Sequence, residues 1–391
     1  MPLVHVHGVA TRPTEEYKAF VKQRDALYKT LVFKDKAVMV RNPDWGSRAV
    51  QFSDDLRWLP KPSGNERFAG GDNPAAVNAK LGSLATQDAA QAIDLAIMAA
   101  LQEQVDKAVK FNTPDLAADT ATIDLAAAAA DLQANAGLLE DEPKGLDTLR
   151  ADSDVAFATT LGAQLEQQEA EAFGLGDKLK DAVRSIGGVI GNTASDLALR
   201  AVRRDLSRGI SLFLGDVFVY LGKRDVAGET GTRERIFEPI ITDLVIAAKD
   251  AAAKAEPLVL VGHSLGGVIL YDMLTDQSVL QRIEKEAGAP LAVDALFTVG
   301  SQPGFFADLG LYANKPTAAA KLPRPAMVAA WMNVFDFTDV FSFLCAPMFN
   351  DVKDFGYDTV VDLVHAHSAY FQRPSFYKRM RVRLNELGKL K

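Results

Sequence analysis

Cysteine is nearly absent from this sequence. Cys345 is the only one among 391 residues, which excludes an intramolecular disulfide and any Cys/His cluster at metal-ligand spacing. No apolar run approaches the roughly 20 residues that span a bilayer. The opening segment, Met1 to Gly8, has neither the basic start nor the apolar stretch of a secretory leader. Positive charge is in deficit as well: the formal net charge is -8, so no whole-molecule attraction to nucleic acid is expected. Together these absences predict a soluble, cytoplasmic protein with no metal, no cofactor and no nucleic-acid partner. Histidine is also scarce, at five residues, and that narrows any search for a catalytic base.

What is present falls into three stretches. Short apolar runs at Leu3 to Val9, Ala37 to Val40, Asp216 to Leu221, Pro257 to Val261, Leu296 to Val299 and Met327 to Met332 read as strands. Helical patterns lie between them, at 13–31, at 231–254 with Ile236, Ile240 and Leu244 on one face, and from about Ser368 to Leu390. Alternating strands and helices predict an α/β fold, a mostly parallel sheet with helices on both faces, made of residues 1–74 and 207–391. Residues 75–206 differ. They are alanine-rich, with Ile93, Ile97, Leu101 and Val105 at helical spacing, a helix start at Thr113-Pro114-Asp115 and further helix near 177–208. This stretch reads as a large all-helical insertion, a lid (cap) or a rigid packing domain.

Directly after the apolar Pro257 to Val261 strand stands Gly262-His263-Ser264-Leu265-Gly266-Gly267, followed by a helical run. A chain that turns sharply from strand to helix crowds its own neighbours, so glycines two before and two after the serine relieve the clash. Such a turn lifts the Ser264 hydroxyl above the sheet and leaves the Leu265 N–H free for a developing oxyanion. A serine hydroxyl needs a base. In folds with this elbow the order is nucleophile, acid, histidine, and only His365 and His367 lie late enough. Asp336 and Asp339, after the Met327 to Met332 strand, are the candidate acids. Gly8, after the first strand, lets the backbone approach the site and makes the Val9 N–H a second oxyanion donor.

These residues resemble a known group. Asp216 to Tyr220, Gly262 to Asp272 and Val299 to Phe305 are similar to the α/β-hydrolase lipases and esterases, especially the DDHD-type intracellular phospholipases A1 and the PGAP1-like serine esterases. The resemblance covers 1–50 loosely and 211–372 more closely, and omits the helical insertion. It implies an α/β-hydrolase fold and a Ser-His-Asp triad. Asn333-Val334-Phe335 through Asp339-Val340 is similar to the group's acid segment and favours Asp339. His367-Ser368-Ala369-Tyr370 is similar to its histidine segment and favours His367. The expected activity is hydrolysis of a carboxylic ester, of a lipid or other apolar acyl group. An amidase or peptidase using the same triad, and a catalytically silent binding module, are the alternatives. Peripheral membrane contact is expected from Arg200 to Phe213 and from the basic set Lys378, Arg379, Arg381, Arg383 and Lys389.

Overall fold

The computed structural model describes residues 1–50, 81–139, 144–168, 179–181, 211–222, 233–312, 321–359 and 366–390. Six strands form one sheet: β1 Leu3–Val6, β2 Val40–Arg41, β3 Val259–His263, β4 Ala295–Val299, β5 Trp331–Phe335 and β6 Val352–Gly356. Their order is β2-β1-β3-β4-β5-β6, and every pairing is parallel. The expected α/β architecture with a parallel sheet is therefore present. β3 and β4 read as near-continuous apolar runs because both faces of a parallel sheet are covered. Alternate residues serve opposite cores: Val259, Val261, Ala295 and Phe297 face one, Leu260 and Leu296 the other.

The second of these cores is closed by Glu238–Lys254, Leu265–Thr275 and Gln277–Ala287. The first is closed by Leu27 to Phe33 and by the C-terminal helix Pro374–Glu386, through Phe376, Tyr377, Met380 and Leu384. The alanine-rich helices Ala89–Lys110, Thr120–Asn135 and Asp154–Gln168 continue this same core outward. Ile93, Ile97, Leu101 and Val105 are buried along the first of them. It packs on Glu15–Leu27 and on Pro374–Glu386. Apart from 179–181, the helix expected near 177–208 lies outside the described residues, up to 210.

Several elements depart from the sequence reading. The expected strand Asp216 to Leu221 is a helix, residues 211–222. Val217, Phe218 and Val219 favour a strand by propensity, but the buried positions are Asp216 and Tyr220, four apart, while Phe218 stands exposed. Burial of one helical face overrides a propensity worth fractions of a kcal/mol per residue. The Ala37 to Val40 strand shrinks to the pair Val40–Arg41, the residues that stand in register with Leu3 and Val4 of β1. β6 has no apolar signature: it is an edge strand of pattern Val-Lys-Asp-Phe-Gly. Among the basic residues expected at a membrane, Lys378 pairs with Asp131, Lys389 with Asp294 at 2.9 Å and Arg383 with Glu386 at 2.9 Å. Residues 200–210 lie outside the described set. Among the described residues no helix is long and apolar enough to cross a membrane.

Candidate active site

In an open parallel sheet, ligands gather at the carboxyl ends of the strands, where the strand order reverses. Here that point lies between β1 and β3. Ser264 follows β3 and Gly8 follows β1, so both belong to it. Ser264 adopts φ 52° and ψ -131°, a conformation that costs an L-residue about 1–3 kcal/mol. The surroundings hold it there. The Ser264 N–H donates to Val299 O at 3.0 Å, and its own carbonyl accepts from the Ser301 hydroxyl at 2.6 Å and from Gly267 N–H at 3.1 Å. Each elbow glycine is required by contact. A Cβ on Gly262 would lie 2.6 Å from Gly267 Cα, and one on Gly266 would lie 2.3 Å from Val6 O. One on Gly8 would lie 2.6 Å from Ser264 Cβ and 3.2 Å from its Oγ. The loop after β1 thus lies against the serine side chain. The N–H groups of Leu265 and Val9 make no hydrogen bond among the described residues.

The structure brings Asp339 and His367 together. His367 Nδ1 lies 2.9 Å from Asp339 Oδ2 and 3.0 Å from Oδ1. The carboxylate also accepts from the Phe341 N–H and the Tyr370 hydroxyl, each at 3.0 Å. Burial opposes the charge on Asp339, but the His367 hydrogen bond and charge, with these two donors, hold its carboxyl below the ordinary value. Gly300, at φ 53°, makes room: a Cβ there would lie 2.9 Å from Asp339 Oδ2 and 3.0 Å from the Tyr370 ring. Asp336 does other work. Its carboxylate accepts from the N–H groups of Thr338 and Thr359, both at 2.7 Å, and from their hydroxyls. It braces a turn and makes no bond to His367. His365 lies outside the described residues.

The sequence reading did not find Tyr370 or Gly300 as part of this arrangement, nor the part played by His263. Burial pushes the His263 imidazole down to about 3, so it stays neutral and its Nε2–H donates to His367 O at 2.7 Å. Its ring lies tilted against that of His367, with centroids 4.9 Å apart. The elbow residue therefore pins the backbone of the candidate base. No local motif announces this, because 104 residues separate the partners.

Two groups in the site have nothing to bond. Ser264 Oγ and His367 Nε2 are buried and make no hydrogen bond among the described residues. No hydrogen bond joins Ser264 Oγ to His367 Nε2. Around them the wall is aromatic: Phe341 lies 5.4 Å from the His367 ring and Phe213 6.4 Å, with those two phenyl rings 4.5 Å apart. Elsewhere on the surface Phe337, Val340, Leu344 and Phe305 are exposed. Among the described residues no group of His, Cys, Asp and Glu could hold a metal ion.

No protein-family model, curated protein or solved structure matches this chain.

Proposed function

We propose that this protein is a serine hydrolase of the α/β-hydrolase fold that cleaves carboxylic esters of apolar acyl groups. The observation that carries the reading is the conjunction at one switch point of a strained serine with an unpaired hydroxyl and a histidine whose far nitrogen is held by a buried carboxylate. Structural serines have no need of a positive φ.

In this reading His367 Nε2 takes the Oγ proton as Ser264 attacks the ester carbonyl. Asp339 keeps the Nδ1 proton in place and stabilises the imidazolium. The N–H groups of Leu265 and Val9 receive the oxyanion. The tetrahedral adduct collapses, the alcohol leaves with the proton from His367, and water repeats the sequence on the acyl-enzyme. The Phe213 and Phe341 wall beside His367 supports an apolar acyl group, a lipid ester among them. Lys378, Arg381, Arg383 and Lys389 are engaged within the chain, so the aromatic wall is the surface that suits a lipid acyl group. The alanine-rich helices serve here as a fixed layer behind the histidine segment, since Asp94 on the first of them is paired to Arg373.

The test is covalent labelling of the purified protein with a fluorophosphonate, read by intact mass. A single adduct on the wild type and none on Ser264→Ala is expected. Folded wild-type protein that takes no adduct and hydrolyses no chromogenic ester, short or long, refutes the reading and leaves a binding module. Faster cleavage of peptides than of esters would move the substrate class to amides.

A further inference from the structure

The loop after β1 carries Val9, whose N–H the reading above assigns to the oxyanion. This loop is not held by a sheet, since β1 ends at Val6. It also contains a residue that resists its own conformation: Ala10 sits at φ 57°, in the left-handed region. What holds it is a carboxylate from a remote segment. Asp216, on helix 211–222, is fully buried. Its Oδ2 accepts from the Ala10 N–H at 2.8 Å and from Arg12 Nη1 at 3.0 Å. Its Oδ1 accepts from Arg12 Nη2 at 2.7 Å and from the Val50 N–H at 3.0 Å. Arg12 also donates to Thr11 O and Val50 O, both at 2.8 Å.

A two-pronged Arg–carboxylate pair fixes orientation as well as distance. Here it fixes the peptide next to Val9, on the loop whose Gly8 touches the Ser264 side chain. The same helix presents Phe213 to His367 and Phe341. One helix thus reaches both the oxyanion side and the base side of the site.

The geometry points to Asp216 and Arg12 as positioning residues that set the oxyanion loop against the nucleophile. The inference rests on the serine-hydrolase reading and deepens it. Neither side chain bonds to Ser264, His367 or Asp339, so both act through the backbone of Ala10. An oxyanion donor must lie about 2.7–3.1 Å from the developing charge, and a misplacement near 1 Å costs on the order of 100-fold. A plain structural brace would behave differently: it would alter stability and leave the chemical step alone.

The deciding experiment compares Arg12→Gln, Arg12→Lys and Asp216→Asn with wild type. Steady-state ester hydrolysis is measured beside the affinity of an alkylboronic acid, which forms a tetrahedral adduct on the serine. For folded Arg12→Gln and Asp216→Asn the expected result is a fall in kcat of about 10- to 100-fold, with KM changed by less than about 3-fold. Boronate affinity should fall in step with kcat. Arg12→Lys keeps the charge, loses the two-pronged geometry, and should recover only part of the loss. Wild-type kcat and boronate affinity in the folded variants overturn the inference. So does a kcat loss with unchanged boronate affinity. Arg12 is 21% exposed, so Arg12→Gln decides the matter should Asp216→Asn fail to fold. A wild type that takes no fluorophosphonate adduct overturns the hydrolase reading itself, and that control separates the two failures.

Discussion

Two regions of this molecule bury polar groups, and they treat them in opposite ways. In one, beneath the alanine-rich helices, the Asp94 carboxylate takes donors from four side chains. Gln133 Nε2 reaches it at 2.8 Å, Arg373 Nε at 3.0 Å and the Tyr357 hydroxyl at 3.4 Å, and the Ser375 hydroxyl is the fourth. Arg373 continues to Thr359 O, and Thr359 continues to Asp336. In the other, at the carboxyl ends of β1 and β3, Ser264 Oγ and His367 Nε2 are bonded to nothing among the described residues. The Asp94 carboxylate is fully engaged, although the Oε1 of its partner Gln133 has no partner among the described residues, and a network paired at its charges holds parts in register. An unsatisfied one has capacity left over for a ligand, at a cost in stability. On the proposed serine-hydrolase reading, the difference separates residues that keep the fold from residues assigned to the chemistry, and each half can be broken independently.

The largest expected effect comes from two aspartates three residues apart. Asp339→Asn removes the acceptor that fixes the His367 tautomer, and kcat should fall about 10⁴-fold, while the chain stays folded. Asp336→Asn disturbs bonds to Thr338 and Thr359. It should cost about 1–3 kcal/mol of stability and change kcat of the folded enzyme only a few-fold. Ester turnover and urea unfolding on both variants test the pair. Similar losses in both measurements for both residues would dissolve the distinction drawn here.

Next comes Asp94→Ala. It strands the Arg373 guanidinium in a site where both side chains are almost completely buried. Breaking a buried pair from one side costs about 3–5 kcal/mol. The expected outcome is a large fall in the urea midpoint with near-normal activity per folded molecule, counted by titration with fluorophosphonate. Full stability with lost activity would mean that this network belongs to the chemistry after all.

The two regions also differ in how far they could be read from the chain. The elbow is written within six consecutive residues: Gly262 answers a clash with Gly267 and the apolar strand and following helix adjoin it, although the clash that Gly266 avoids is with Val6 O on β1. The acid and base were reachable in part. Chain order left Asp336 or Asp339 and His365 or His367, and only resemblance favoured one of each. Packing distinguishes the two aspartates, through Tyr370, Gly300 and the Phe341 N–H. The Asp94 network was not legible, since Asp94 and Arg373 lie 279 residues apart and no periodicity couples them. Helix 211–222 was misread for a related reason. Its Val and Phe residues carry strand propensity, while what decides its form is the burial of Asp216 against a loop 204 residues away.

The smallest expected effect concerns acid, and it sharpens the comparison from the side of stability. The elbow end is lined with imidazoles that are buried uncharged. Burial lowers His5 well below its ordinary value, His7 to about 4 and His263 to about 3. His7 Nδ1–H donates to Gly8 O at 2.8 Å, its ring stacks on Trp45, and its Nε2 has no partner among the described residues. The folded protein therefore binds fewer protons than the unfolded chain between pH 6.5 and about 4. Stability must fall as pH drops through that window and level off, for His7, below it. Asp339, whose carboxyl is held below its ordinary value, has the same sign. His7→Asn keeps an N–H in place of Nδ1 and cannot titrate. Its unfolding free energy should decline less steeply on acidification, by up to about 1.4 kcal/mol per pH unit, amounting to about 3 kcal/mol across the window. Because every other group is common to both proteins, the difference between the two curves isolates His7. Parallel curves from pH 7 to 4 would mean that His7 is reached by protons in the fold, and the β1 end of the site would then be wetter than its burial implies.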